Sequence, residues 1–204
     1  MVRVLTLFSG THSVGKVCSE NGWQETSLDL FQPADIEEDV LQWDWRTYPR
    51  GYFDIIWASP DCSQYSRAKT RGGPRRLGHA DKMVKKTLAI INDLQPKIWF
   101  IENPETGMLK TRDFMLLRPR VIVDYCRYGL PYRKRTALWS NVCPELAPIM
   151  QTCQKDCQFC TNGRHFTTIQ DMCHGKERGQ IPIPLLRDIF DKCIDLMAQG
   201  IFSD

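Results

Sequence analysis

The sequence predicts an α/β fold with a mainly parallel sheet. Five apolar, β-rich runs recur along its 204 residues, and helical or loop segments separate them. The length fits one domain with a small appendage, and it is enough to bury a core. A hydrophobic content of 42% and a charged content of 25% are those of a globular chain.

The elements follow in order. "VRVLTLF" (2–8) reads as the first strand, and "VGKVCSENG" after it fits a helix. "ETSLDL" (25–30) and "FDIIWAS" (53–59) are the second and third strands. In "HADKMVKKTLAIINDLQP", Met83, Leu88, Ile91 and Leu94 form a helical apolar stripe, with Lys on the other face and Pro96 as the stop. "KIWFIEN" (97–103) is the fourth strand. "VIVDYCRYGLPYRKRTALWSN" looks like two strands around a Gly-Leu-Pro turn, an antiparallel hairpin at a sheet edge, with "RTALWSN" (135–141) as the fifth run. "PIPLLRDIFDKCIDLMAQG" reads as a closing helix, with Pro near its start and Gly at its end. Residues 142–178 are polar and Cys-rich and fit neither period. They are read as an inserted module, with 1–141 and 179–204 as the main domain.

Several classes drop out. A net charge of +3 is too mild to indicate a polyanion partner, so local placement of charge must carry that argument. No apolar run approaches the roughly 18 residues of a membrane span. The start "MVRVLTLFSG" enters a strand at once, without the pattern of a signal peptide. An intracellular, cytoplasmic monomer is therefore expected. Five of the nine Cys fall between 143 and 173 rather than being spread as a disulfide framework, which points to metal binding.

Four stretches carry chemistry. "TLFSGTHSVG" puts a loop of small residues (Phe8, Ser9, Gly10, Thr11) between strand and helix, where backbone can approach a nucleotide-like ligand. Asp29 ends the second strand and can accept from ribose hydroxyls. Asp44, flanked by aromatics in "LQWDW", can bind an adenine amino group. Together they suggest an adenosine-containing ligand not held by phosphates. Cys62 and Glu102 follow the third and fourth strands, at the carboxyl ends where α/β active sites are built. A lone Cys is most often a small buried apolar side chain. Here Asp61, Ser63, Gln64 and Ser66 argue against a dry pocket, and a thiolate is a strong nucleophile. "RAKTRGGPRRLGH" (67–79) offers Arg67, Lys69, Arg71, Arg75 and Arg76 without an acid, a candidate clamp for phosphates beside Cys62. Lastly, Cys143, Cys153, Cys157 and Cys160 have spacings suited to a tetrahedral zinc ion. His165 is an alternative ligand, and Cys173 and His174 are further candidates.

Read together, these segments resemble the cytosine carbon-5 DNA methyltransferases. "TLFSGTHSVG" looks like the family's first cofactor motif, and "SPDCSQYS" lines up without gaps on its nucleophile motif. "IENP" resembles the Glu-Asn-Val motif, "YGLPYRKRTALW" the arginine segment, and "GQIPIPLLRDIF" the last motif with its helix. The similarity covers roughly 1–141 and 179–197. His12 and Ser13 stand where the family has glycines, and Asp61 stands where it has Pro. A gapless reading puts Lys134 at an arginine position and turns Arg133 and Arg135 to the other strand face unless a bulge intervenes. The family's target-recognition domain is absent, and the Cys-rich module stands in its place.

The resemblance implies a Rossmann-like methyltransferase fold and S-adenosylmethionine as methyl donor, with Phe8, Ser9, Gly10, Thr11, Asp29, Asp44 and Pro60 around it. It implies DNA as partner, with the target cytosine rotated out of the stack. Cys62 would be the nucleophile. Glu102 would hold the ring, and Lys134 or Arg135 (or Arg133) would supply a cation. RNA as substrate, or a non-catalytic nucleic-acid-binding relic, are the alternatives. The small size suggests a phage or viral source.

Overall fold

The computed structural model describes residues 1–67, 73–168, 171 and 179–201. Four parallel strands lie side by side in the sheet: β1 (Arg3–Leu7), β2 (Gln24–Leu28), β3 (Ile55–Ala58) and β4 (Ile98–Pro104). Two more, β5 (Arg120–Asp124) and β6 (Arg135–Ser140), join antiparallel, giving the order β2-β1-β3-β4-β6-β5. The predicted hairpin is therefore present, with its second strand inside the sheet and its first at the edge. The connection is a 3-10 turn, Tyr125–Tyr128, closed by Gly129 at φ 97°.

Successive strand residues feed opposite faces, so both sides of the sheet are apolar. This is what buried parallel strands require. Val4, Ile55, Trp57, Ile98 and Phe100 pack under α1 (Ser13–Glu20) and the closing helix, with Leu185, Leu186, Ile189 and Phe190 from the latter. Leu5, Leu7, Ile56, Ala58 and Ile101 pack under α2 (Leu77–Leu94) on the other side. The first turns after β1, β3 and β4 thereby open at one end of the sheet.

Among the described residues between α2 and the closing helix lie two single-turn helices, α3 (Asp113–Leu116) and α4 (Cys143–Leu146), and a two-stranded ribbon, β7 (Cys160–Thr161) with β8 (Arg164–His165). The closing helix is α5 (Ile183–Gln199). The stretch 142–178, expected as a Cys-rich insert, opens on residues that pack in the main core. Val142, Cys143 and Leu146 are core residues, and Ile149 and Met150 pack against them. Among the described residues, no helix is long and apolar enough to cross a membrane.

Candidate active site and thiol cluster

The loop after β1 turns three times through the left-handed region, at Phe8 (φ 59°), Gly10 (φ 53°) and His12 (φ 55°). For a non-glycine residue that conformation costs roughly 1–2 kcal/mol, so the chain needs a reason to hold it. Asp29 provides one. Gly10 N–H donates to Asp29 Oδ2 at 2.9 Å, and Phe31 and Gln32 N–H donate to Oδ1 at 2.8 and 3.0 Å. The carboxylate expected to reach for a ribose is thus also the brace of the loop. Ser13 accepts Ile181 N–H at 3.2 Å, which draws the segment before α5 against the first loop.

A cavity of about 250 Å³ opens here. Phe8, Ser9, Gly10 and Thr11 line it together with Pro60, Cys62, Glu102 and Lys134. Asp44 does not join them among the described lining residues. It is two-thirds exposed, caps the following turn through Arg46 N–H at 3.2 Å and faces the Arg46 guanidinium at 3.5 Å. The aromatic neighbours that suggested a binding role, Trp43 and Trp45, are buried in the core instead.

The Cys62 loop is fixed from three sides. Asn103 Nδ2 donates to Pro60 O at 2.9 Å, tying it to the end of β4. Tyr65 O–H donates to Asp81 on α2 at 2.9 Å, and Arg112 Nε donates to the same carboxylate at 3.0 Å. Arg75 donates to the carbonyls of Gln64 (3.1 Å) and Ser66 (2.5 Å). Arg75, expected as a phosphate contact, therefore braces the nucleophile loop. Arg67 and Arg76 are exposed. Lys69 and Arg71 lie outside the described residues.

Cys62 is partly exposed into the cavity. Burial raises its thiol pKa; Lys134 opposes this, while Glu102 and Asp61 add to it, and the result is pushed up to about 11. Asp61 itself accepts Ser63 N–H at 2.9 Å. Beneath the thiol, Lys134 Nζ lies 3.4 Å from Glu102 Oε1, both side chains nearly buried, and Tyr125 O–H donates to that same oxygen at 2.9 Å. The ammonium also sits 4.9 Å from the Tyr125 ring centroid.

The register of the basic segment settles which cation is in the cavity. Lys134 points in. Arg133 and Arg135 turn to the opposite face, where Nε of each lies 3.1 Å from Asp124 Oδ1. Arg135, expected at the site, instead joins Arg133, both partly exposed, on a fully buried carboxylate. Burial by itself would raise Asp124. The two guanidiniums and Cys153 N–H outweigh that and hold it below the usual carboxylate range.

A second cluster gathers thiols. Cys157 Sγ and Cys160 Sγ lie 3.6 Å apart, and His165 Nε2 is 3.3, 3.4 and 3.8 Å from Cys157, Cys160 and Cys153. Ribbon β7–β8 produces this by placing Cys160 opposite His165. Donor atoms of Cys126, Cys153, Cys157 and His165 all lie within 4.8 Å of one another, so the group could hold a metal ion. Cys143 is elsewhere: it is in the core, with Sγ 3.7 Å from Leu138 O. Cys126 comes in its place. No local spacing announced it, because the whole of β6 and α4 lies between it and Cys153. Cys173 and His174 fall outside the described residues.

No protein-family model matches the chain. A protein of Frog virus 3 (isolate Goorha) named "Probable DNA (cytosine-5)-methyltransferase" is 38% identical over 156 residues, 69% of this chain and 71% of that one. The chain belongs to the DNA (cytosine-5)-methyltransferase family. It is accordingly a methyltransferase, and the viral source of this relative fits the compact form of the chain. A crystal structure described as a prophage-encoded DNA modification methyltransferase of E. coli shares the fold, with a TM-score of 0.52 at 16% identity. The match covers 84% of this chain and 54% of that protein, so the chain spans about half the length of that solved relative. In this chain the β1 loop, the Cys62 loop and the end of β4 meet at one cavity.

Proposed function

We propose that the protein methylates carbon 5 of cytosine in DNA through a covalent adduct to Cys62. One observation carries this reading: Cys62, Glu102 and Lys134 line one cavity with the loop of residues 8–11. A relic would have no reason to keep a buried Lys–Glu pair under a thiol, since desolvating two charges costs several kcal/mol per ion.

The methyl donor is S-adenosylmethionine. When bound, it supplies an electrophilic methyl group on a sulfonium. The residues present suit it. Ser9 Oγ is buried in the cavity wall without a partner. The loop offers amides and hydroxyls, and Lys134 is the one cation among the described lining residues, as befits a ligand without phosphates. Phe8, Ser9, Gly10, Thr11 and Pro60 would hold the donor, with Asp29 bracing the loop from behind the described lining residues.

Carbon 5 of cytosine is a weak nucleophile. The Cys62 thiolate adds to carbon 6 and converts the ring to an enamine that can take the methyl group at carbon 5. Glu102 holds ring nitrogen 3 and the exocyclic amine. Lys134 lowers the cost of the thiolate and faces the ring oxygen. Loss of the carbon-5 proton to solvent and departure of Cys62 restore the aromatic ring. The base must leave the duplex stack for this, at a few kcal/mol. Arg67, Lys69, Arg71 and Arg76 are the proposed phosphate contacts. Such substrates place the activity inside a cell, in the host cytoplasm for a viral protein.

We assign residues 142–178 as an insert on a catalytic domain of 1–141 and 179–204. A structural zinc ion in its thiol cluster would fold this polar stretch without a core.

The test is tritiated methyl transfer from S-adenosylmethionine to DNA and to RNA, with Cys62→Ser as control. Transfer to DNA that disappears in the variant is expected. Transfer to RNA alone would move the substrate, and undiminished transfer by Cys62→Ser would remove the mechanism.

A further inference from the structure

Two kinds of buried cysteine occupy this chain. Cys18 and Cys193 sit among Val, Leu, Ile and Phe side chains of the main core and act as small apolar groups. Cys126 is just as buried at 2% exposure, but its cluster consists of Cys153, Cys157, Cys160 and Phe159. Its Sγ is within 4.8 Å of every donor atom of Cys153, Cys157 and His165. In a tetrahedral zinc site with bonds of about 2.0–2.3 Å, neighbouring donors stand roughly 3.5–4 Å apart. A small inward closure reaches that from the distances here. Five donors compete for four places.

Cys126 is set apart from the other four by its position in the fold. It follows β5 in the catalytic sheet, whereas the others belong to the insert. The three consecutive residues 124–126 connect the two regions. Asp124 Oδ2 accepts Cys153 N–H at 2.8 Å. Tyr125 donates its N–H to Lys134 O at 3.2 Å and its O–H to Glu102 at 2.9 Å.

We propose that Cys126 is a ligand of the metal ion, that the ion thereby staples the insert to the catalytic sheet, and that Tyr125 is the positioning residue through which it holds Glu102. This rests on the methyltransferase and zinc readings above. Loss of the ion, by chelation or by oxidation of the thiols, would free the 124–126 turn and let Glu102 drift from the pyrimidine.

The first measurement is zinc retention against a chromophoric chelator, in full-length protein, for the parent, Cys126→Ser and Cys143→Ser. Cys143→Ser should keep its zinc, and Cys126→Ser should hold it at least about tenfold more weakly. Equal retention in the Cys126 variant overturns the ligand assignment. Should that variant fail to fold, alkylation of the parent with iodoacetamide replaces it. Cys126 should be protected with zinc and modified after chelation, and labelling that ignores zinc counts against the proposal. The second measurement is kcat before and after chelation. In the parent, kcat should fall about tenfold with little change in KM, and zinc should restore it. Tyr125→Phe should retain its zinc, start from the lower kcat and lose less than about twofold more on chelation, because the link is already cut. A Tyr125→Phe protein as sensitive to chelation as the parent breaks the coupling. If the parent transfers no methyl even with zinc, the methyltransferase reading is at fault, and the zinc measurement still judges Cys126.

Discussion

The cavity around Cys62 and the cluster around His165 both use cysteine, and they use it in opposite ways. Cys62 is a single thiol at the edge of open space, above a carboxylate and an ammonium that are already paired with each other. The cluster's thiols face one another and a histidine. A nucleophile needs room for a substrate and a nearby charge to tune it. A ligand needs other ligands at the same point. Cysteine chemistry in this chain is therefore set by the neighbours of each thiol.

The sharpest way to break this contrast is to disable each region and read the other. Glu102→Gln should lower kcat by two or more orders of magnitude, since positioned acid–base groups contribute about 10²–10⁴-fold, while zinc content stays at the parent level. A loss of zinc in that variant would mean the two regions form a single site.

Asp124 lies on the border. Asp124→Asn leaves two guanidiniums, each about a third exposed, facing a neutral amide, and should cost about 3 kcal/mol, the low end for a broken buried pair. The thermal midpoint should fall by roughly 10 °C for a chain of this size. The same group makes a pH prediction. Its folded pKa lies below the unfolded value of about 3.9, so its stabilisation is complete above that pH and is lost as pH falls through the folded value. Parent stability should drop steeply below about pH 4, and the Asn variant should lack that component. Unfolding curves with the same slope in both would remove the cluster from the account.

The basic loop sharpens the contrast on the substrate side. If four cations meet phosphates, log Kd for duplex DNA should rise against log salt with a slope of about 3.6. A flat dependence would dissolve the clamp. The slope should be unchanged by zinc removal, because Arg67 and Arg76 are outside the thiol cluster.

Asp61 gives the smallest effect. With the Cys62 thiol near 11, kcat/KM should climb about tenfold per pH unit through neutrality while thiolate forms. Asp61→Asn removes one of the charges that raise it, so the profile should move to lower pH, by less than a unit. Lys134→Met should move it the other way. An unmoved profile in Asp61→Asn would mean that the carboxylate, turned to Ser63 N–H, is screened from the sulfur.

Much of this was written in local pattern. Alternating apolar runs gave the parallel strands, because each strand must feed two faces. The positions of Cys62 and Glu102 at strand ends followed from the same reading, and the loop of residues 8–11 came with them. His165 was legible as a candidate because Cys153, Cys157, Cys160 and His165 are close in the chain, where a ribbon of four residues can bring them together.

What the sequence could not decide depends on pairs that are distant in the chain. Parity along a strand says that Lys134 and Arg135 face opposite sides, but only the antiparallel register of β6 against β4 and β5 says which side holds Glu102 and which holds Asp124. Cys143 has the spacing of a ligand, yet α4 turns it into the core. Cys126 lacks that spacing, and the edge strand delivers it to the cluster. Composition and period fix which residues must be buried or exposed. The partner of each buried charge or thiol is fixed only when the sheet closes, because an unpaired one costs more than the fold can spare.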